Sequence, residues 1–227
     1  DAIIKRKYLK KNFKSISLVN PKKINLNNYK NIILSPGISY KTDFFKQINH
    51  QRKRFKRDLN IYWENIKNKK IIAITGTNGK STTTKLIGNL LVNNNCHTFV
   101  GGNLGNPLLN SFLNKKNYNH HVIELSSFQL EFMHNFNPKV AILLNLSKDH
   151  LDRYSNYQEY IDQKKKIFSK NKKGYNVISI DDKQSAKLYK SKNIKNKISF
   201  SIYNKNADIY YDNCYIYDNF FYKKRKI

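Results

Sequence analysis

The sequence has 227 residues, of which 39% are hydrophobic, enough to build one large or two small folded domains rather than a disordered tail. No apolar run approaches the ~18 residues of a membrane-spanning helix, and two cysteines cannot form a disulfide framework. We therefore expect a soluble, cytoplasmic protein without a membrane partner.

The formal net charge of +28 is weak evidence for binding to nucleic acid or another polyanion. Lys (37 residues) and Asn (33) far outnumber Arg (6) and Ala (5), a skew that A/T-rich codons produce whatever the function. A nucleic-acid reader would be expected to use more Arg, whose planar fork recognises phosphate and guanine. The charge is interpreted as mostly solvated surface.

Residues 1–69 predict part of a small α/β unit. Two short apolar runs, Ser15 to Val19 and Asn31 to Ser35, have the length of strands, and a helix is expected around Leu59 to Ile66. An irregular basic extension is the alternative interpretation.

From residue 70 to 227, apolar strands alternate with helical segments in a single predicted domain. A helix is predicted at Lys80 to Val92, with Leu86, Ile87, Leu90 and Leu91 on one helical face, and another around Asp182 to Ser191. The predicted strands are Lys70 to Thr75, Cys96 to Val100, His121 to Leu125, Lys139 to Asn145, Asn176 to Ile180 and Lys197 to Ser201. This alternation predicts an α/β fold with a mainly parallel sheet covered by helices on both faces. The aromatic stretch Asp208 to Tyr222 predicts an antiparallel hairpin.

The strongest local signal is a glycine-rich loop between a predicted buried strand and an amphipathic helix. It reads Gly76, Thr77, Asn78, Gly79, Lys80, Ser81, Thr82, with Ile74 where the generic phosphate loop has its first glycine. Such a loop turns main-chain N–H groups toward a phosphate, while Lys80 reaches the β- and γ-phosphate oxygens and Ser81 or Thr82 can hold Mg²⁺. A plain strand-to-helix turn would not require Gly-Lys-Ser-Thr at the helix start, so the loop predicts ATP or GTP binding.

Further blocks follow this loop in a recognisable order. They are Gly101 to Pro107 (GGNLGNP), Glu124 to Glu131 (ELSSFQLE) and Asn145 to Tyr154 (NLSKDHLDRY). Together with the loop form TGTNGKST, they make the chain resemble the Mur ligase family, and within it the members that add D-glutamate. The turn Ser35 to Ile38 and the block Arg57 to Leu59 resemble the end of that family's first domain.

The resemblance implies a partial Rossmann-like, UDP-substrate-binding unit at residues 1–69 and an ATP-binding central P-loop domain at residues 70–227. It also implies that the start of the first domain precedes residue 1, and that the end of the central domain and a C-terminal domain follow residue 227. The expected function is ATP-dependent addition of D-glutamate to UDP-N-acetylmuramoyl-L-alanine through an acyl phosphate, in peptidoglycan precursor synthesis. A fragment of this kind is expected to be inactive alone, and the protein is expected to be a monomer.

The resemblance further implies roles for individual residues. Lys80, His150 and Lys164 are the expected catalytic residues, while Asn103, Ser126 and Gly37 are expected to contact or line the muramoyl substrate. Two Mg²⁺ sites are expected: one at Ser81, Thr82 and Glu124, and one at His150 and Lys164, the lysine being carbamylated by CO₂. Glu124 as a mere helix cap, and His150 as a structural residue, are the alternatives.

Lys164 occupies an unusual position for a charged residue, whether or not the resemblance is considered. A capping box at Ser155 and Gln158 predicts a helix whose apolar stripe comprises Tyr157, Tyr160, Ile161, Ile167 and Phe168. Lys164 falls on this stripe, whereas Lys165 and Lys166 do not. Burying an ammonium there is costly unless the group is paired, chemically changed or able to extend to water along its stem.

The sequence alone leaves two other functions possible. One is another ATP-dependent amide ligase of the family, such as a folylpolyglutamate synthase or a sister Mur ligase. The other is a basic nucleic-acid-binding module that uses the phosphate loop as a nucleotide switch.

Overall fold

The computed structural model describes residues 15, 17, 19–20, 23–39, 41–42, 54–66, 68–103, 105–113, 117–170, 173–221 and 225–226. The chain forms two compact units, one comprising Asp1–Ile33 and Ser39–Phe55, the other Leu34–Ile38 and Lys56–Ile227. The domain boundary between residues 69 and 70 stays a prediction.

Few elements of the first unit lie within the described residues. A 3₁₀ turn covers Leu26–Asn28, and the predicted strand at Asn31 to Ser35 is shorter than expected, with β1 covering Ile32–Ile33. β1 pairs with β2 (Phe55–Lys56) in a two-stranded sheet. The predicted strand at Ser15 to Val19 includes Ile16 and Leu18, which lie outside the described residues.

The second unit has the alternating order that the sequence predicts. Its helices are α1 (Asp58–Asn65), α2 (Lys80–Asn93), α3 (Asn110–Leu113), α4 (Ser127–Leu130), α5 (Tyr157–Lys164) and α6 (Lys183–Lys190). Its strands are β3 (Lys70–Thr75), β4 (Thr98–Gly102), β5 (His120–Glu124), β6 (Val140–Leu143), β7 (Tyr175–Ser179), β8 (Lys197–Ser201), β9 (Ile209–Asp212), β10 (Tyr215–Asp218) and β11 (Arg225–Lys226).

The described strands β3–β11 form one mixed sheet in the order β11-β10-β9-β8-β7-β6-β3-β5-β4. Every neighbouring pair from β4 to β9 is parallel, and β9, β10 and β11 pair antiparallel. The predicted α/β fold with a mainly parallel sheet is thus confirmed, and so is the hairpin, although Tyr222 at its predicted end lies outside the described residues. Because β5 and β6 flank β3, the carboxyl ends of these three strands meet at one edge, where open α/β sheets bind ligands.

The core lies along both the strands and the helices packed on them. Its fully buried apolar side chains include Leu59, Tyr62, Ala73, Leu108, Ile123, Leu125, Leu130, Ala141, Leu143, Tyr160, Ile167 and Ile178. In the described part of the chain, no helix is both long and apolar enough to span a bilayer.

The apolar face predicted for α2 is only partly covered, and small residues are the buried ones. Leu86 and Leu90 are 59% and 63% exposed, whereas Thr84 and Gly88 are buried. A Cβ added to Gly88 would lie 2.5 Å from Val100 Cγ2 of β4, so the helix and the sheet approach too closely for a large side chain there. Small residues therefore form the contact, and two leucines of the predicted apolar face point outward.

The start of α5 is one residue later than predicted. Asn156, and not Ser155, caps the helix by accepting a hydrogen bond from the Glu159 N–H at 2.9 Å. The Glu159 carboxylate reaches back to the Ser155 N–H at 2.8 Å. Asn and Ser cap helices about equally well, so the spacing alone could not separate the two registers.

Candidate functional site

The glycine-rich loop joins β3 to α2 in the predicted strand-loop-helix arrangement. Gly79, the N-cap of α2, has φ +79°, a left-handed conformation that glycine adopts without strain. The N–H groups of the first helical turn have no acceptor within an α-helix, and the helix dipole adds a positive field there. These groups can bind a phosphate.

Asn145, just beyond β6, holds the first half of the loop. Its side-chain oxygen accepts the N–H groups of Thr77 and Asn78 at 3.0 and 2.8 Å, and its amide nitrogen donates to Asn78 O at 3.1 Å. Thr77 is further fixed by its hydroxyl, 3.1 Å from the Tyr160 hydroxyl. Because these two main-chain amides already have partners, a phosphate is left with those of the following residues, from Gly79 to Thr82.

Lys80 and Ser81 open α2 directly beside the loop. Lys80 Nζ donates to Thr77 O at 2.7 Å, so the ammonium lies over the loop main chain. Ser81 Oγ donates to Glu124 Oε2 at 2.7 Å. Thr82 also lies in the first helical turn and is exposed, with its hydroxyl outside this hydrogen-bonded cluster.

Glu124 ends β5 and is only 2% exposed. Its carboxylate accepts from Ser81 Oγ and, at 2.8 Å, from Asn103 Nδ2, and no ion pair with it occurs among the described residues. Gly102 brings Asn103 to this position, since its φ is +108° and an added Cβ would lie 2.2 Å from Glu124 O. A buried carboxylate held only by neutral donors is costly, and a cation would offset that cost.

The donor set around Glu124 fits magnesium. A hydroxyl and a carboxylate are hard oxygen ligands, and Mg²⁺ in nucleotide sites usually takes one or two such ligands with phosphates and water. The described residues contain no cluster of three or more His, Cys, Asp or Glu side chains that could hold a metal by themselves.

Lys164 is buried, as its position on the predicted stripe requires, with 2% exposure. Its Nζ donates to Gly76 O at 2.8 Å and to Thr75 Oγ1 at 3.3 Å, and lies 4.9 Å from the Tyr160 ring centroid. Burial, and secondly the Lys80 charge, lower the pKa of this ammonium to about 7, against the opposing effect of acidic groups nearby. The end of α5 thus brings an amine of reduced basicity to the start of the phosphate loop.

His150 follows β6 in a strained backbone position, with φ +53°. Its side chain is 45% exposed, with Nε2 3.4 Å from Asp149 Oδ2 and its ring centroid 4.8 Å from that of Phe128. The His150 ring also lies 6.2 Å from the Tyr160 ring, which contacts Lys164. The two predicted ligands of a second metal therefore adjoin the same aromatic side chain.

Two predicted substrate residues have structural partners of their own. Ser126 caps α4, accepting from the Gln129 N–H at 3.2 Å. Gly37 O accepts from Arg153 Nη1 at 3.1 Å, and the space where a Gly37 side chain would project is open.

Sequence reasoning missed two groups of residues at this site. One is Asn145, which the sequence marks only as the first residue of the block Asn145 to Tyr154 that resembles the family. The other is a buried ion triad of Arg57, Glu131 and Arg153, whose charges were not singled out.

The comparisons with known proteins agree on one family. Residues 74–223 match the model of the Mur ligase middle domain. A UDP-N-acetylmuramoylalanine–D-glutamate ligase from Rickettsia prowazekii (strain Madrid E) is 43% identical over 159 residues, which are 70% of this chain and 35% of that protein. A protein of the same name from Geotalea uraniireducens (strain Rf4) is 51% identical over 113 residues, 49% of this chain and 25% of the relative. The chain thus spans about a third of the length of the curated relatives that it matches.

Solved structures show the same fold at low sequence identity. A UDP-N-acetylmuramoyl-L-alanyl-D-glutamate–2,6-diaminopimelate ligase is 19% identical with a TM-score of 0.54, the match covering 85% of this chain and 49% of that one. The MurF ligase from Thermotoga maritima, solved in complex with ADP, is 18% identical with a TM-score of 0.50, covering 88% and 54%.

Proposed function

The chain belongs to the Mur ligase family, and from this premise we propose that the protein is an ATP-dependent ligase that joins D-glutamate to UDP-N-acetylmuramoyl-L-alanine. One structural observation carries the proposal: beside the phosphate loop, the buried Glu124 carboxylate accepts a hydrogen bond from the Ser81 hydroxyl, and these two hard oxygen donors suit Mg²⁺. The names of the relatives support D-glutamate as the amino acid added. They do not favour a folylpolyglutamate synthase or a nucleic-acid-binding module.

The first task of such an enzyme is to make an inert carboxylate reactive. A carboxylate does not condense with an amine at neutral pH, so the alanyl carboxylate would take the γ-phosphoryl group of ATP and become an acyl phosphate. The D-glutamate amine would then attack the acyl carbon, form the amide bond and expel phosphate. Transfer between two anions needs concentrated positive charge, which Lys80 and the first-turn amides of α2 would supply.

Each site residue would have a defined part in this reaction. Ser81 and Glu124 would hold the first Mg²⁺, with Thr82 as a further hydroxyl, and Asn103 would fix the Glu124 carboxylate or contact the muramoyl substrate. When bound, Mg²⁺ would neutralise charge on the β- and γ-phosphate oxygens.

Lys164 and His150 would hold a second Mg²⁺. The pKa of about 7 leaves a substantial fraction of Lys164 as the neutral amine at neutral pH, and this is the form that adds to CO₂. The resulting carbamic acid would lose one proton to give a carbamate anion, an oxygen ligand where the unmodified side chain offers only an amine. The hydrogen bond to Gly76 O would position the amine nitrogen for this change.

The remaining predicted contacts concern the substrate. Gly37 and Ser126 would line the path of the muramoyl group. The protein is proposed to act in the cytoplasm as a monomer, in peptidoglycan precursor synthesis.

Phosphate release by the complete protein tests the function. We expect release from ATP to require both UDP-N-acetylmuramoyl-L-alanine and D-glutamate, and L-glutamate not to replace the D-enantiomer. Release at an equal rate without D-glutamate, or with another amino acid in its place, would contradict the assignment.

A further inference from the structure

Three charged side chains from distant parts of the sequence form a buried triad. Glu131 is paired with Arg57 Nη2 at 2.5 Å and with Arg153 Nε at 2.8 Å, and a second bond from Arg153 Nη2 is 2.9 Å long. The side chains of Arg57 and Glu131 are fully buried, and that of Arg153 is 7% exposed. All three belong to the same compact unit of the chain.

Stability alone does not account for such a group. Transferring ions from water to the protein interior is unfavourable, and apolar side chains of similar volume often stabilise a protein as well or better. What an apolar replacement could not supply is the set of N–H donors that both guanidinium groups retain after pairing with Glu131.

The spare donors of the two arginines hold the main-chain turn at Ser35 to Ile38. Arg57 donates to Ser35 O and, at 2.9 Å, to Ile38 O. Arg153 donates to Gly37 O and to Ile38 O, both at 3.1 Å. Three of the four carbonyl groups of this turn therefore point at the triad, which fixes the orientation of its peptide planes.

The same triad is attached to the segment that carries His150. The Arg153 guanidinium lies 4.0 Å from the centroid of the Phe128 ring, and the Phe128 and His150 ring centroids are 4.8 Å apart. Arg153 N and Tyr154 N both donate to His150 O, at 3.1 and 3.2 Å. The Tyr154 hydroxyl in turn donates to Glu131 Oε1 at 3.3 Å.

We propose that the Arg57–Glu131–Arg153 triad positions the Ser35 to Ile38 turn. By holding this turn in a fixed place relative to the His150 segment, the triad sets the affinity for the muramoyl substrate. The open space beside Gly37 leaves that turn accessible to a ligand. The three residues act through the turn and do not touch the reacting atoms. This inference rests on the proposed ligase function.

The Arg153→Lys variant of the complete protein tests the proposal. Lysine keeps the charge but carries three donors on a single nitrogen, so it cannot replace the four hydrogen bonds that the Arg153 guanidinium makes to Glu131, Gly37 O and Ile38 O. Losing one charge-assisted hydrogen bond commonly costs an order of magnitude in affinity, so we expect KM for UDP-N-acetylmuramoyl-L-alanine to rise roughly tenfold. Because Arg153→Lys keeps the main-chain bonds from residues 153 and 154 to His150 O, and the phosphate loop makes no contact with the substituted side chain among the described bonds, KM for ATP and kcat should stay within about threefold.

Glu131→Gln is the second variant, and Glu64→Gln is its matched control. Glu64 pairs with Lys56 at 2.6 Å on the surface, so the same substitution there should leave all three kinetic constants unchanged. Glu131→Gln weakens both arginine contacts and should raise the same KM as Arg153→Lys. Thermal unfolding of each variant shows whether it is folded at the assay temperature.

The kinetic constants of the two variants distinguish positioning from a purely structural role. A rise in the muramoyl-substrate KM alone would support positioning, whereas equal changes in both KM values, or none, would overturn it. Failure of both variants to fold would assign the triad to folding and would also overturn the proposal. If the wild-type protein itself shows no release of phosphate that depends on the muramoyl substrate, the proposed function has failed instead.

Discussion

Substituting Lys164 by Met tests the physical state of the buried amine. Methionine keeps an unbranched stem of similar volume but has no charge to bury. The wild-type amine has a pKa of about 7 in the folded chain and an ordinary value of 10.5 when unfolded. Between these values the unfolded chain binds more protons than the folded one, so the wild type gains stability as pH rises. From linkage, the ammonium destabilises the fold by about 5 kcal/mol at pH 6 and about 2 kcal/mol at pH 9.

The free energy of unfolding of wild type and variant would be measured in urea at both pH values, in CO₂-free buffer. The fluorescence of Trp63, which packs on Phe136, would monitor the unfolding. The stability advantage of Lys164→Met should shrink by about 3 kcal/mol between pH 6 and pH 9, while other titrating groups cancel in the comparison. Lys165→Met, which removes an exposed pair with Asp162, is the control and should change stability by less than ~1 kcal/mol. A difference that does not vary with pH would refute the idea that the amine is desolvated.

Three further substitutions test the nucleotide site in the complete protein. Asn145→Ala removes the side-chain oxygen that accepts from Thr77 N and Asn78 N; Thr77 N keeps the main-chain oxygen of residue 145, whereas Asn78 N loses its acceptor. The variant should weaken ATP binding about tenfold by calorimetry, with little effect on the muramoyl-substrate KM; unchanged ATP affinity would exclude a role in shaping the loop. Glu124→Gln should raise the Mg²⁺ concentration needed for half-maximal activity roughly tenfold, since ligand charge tunes metal affinity; an unaltered Mg²⁺ titration would remove Glu124 from the metal site. Lys80→Gln should lower kcat at least ~100-fold, whereas Lys85→Gln on the same helix should not; equal losses would point to general charge and not to a specific contact.

The parts of the fold that follow from local pattern were predictable. The strands Lys70–Thr75 and Lys197–Ser201 occur with the predicted bounds. The first contains an unbroken apolar run from Ile71 to Ile74, and the second alternates polar and apolar residues, a period that is typical of a strand. The burial of Lys164 was predictable for the same reason, since helical spacing alone places it among apolar residues.

Features that depend on distant partners were not predictable. Asn145 reaches the loop 67 residues earlier, and an asparagine after a strand is ordinarily a turn residue. Arg57 and Glu131 are 74 residues apart, and isolated charges in a strongly basic chain look like surface. The buried face of α2 depends on how closely Gly88 approaches Val100, which no single-sequence periodicity reveals.

Isotope transfer tests whether the protein activates the alanyl carboxylate by phosphorylation. UDP-N-acetylmuramoyl-L-alanine labelled with ¹⁸O in its terminal carboxylate would be turned over by the complete protein with ATP and D-glutamate. Because the carboxylate oxygen that attacks phosphorus leaves with the phosphate, one ¹⁸O atom should appear in inorganic phosphate for each amide bond formed. Release of unlabelled phosphate alongside amide formation would contradict the account.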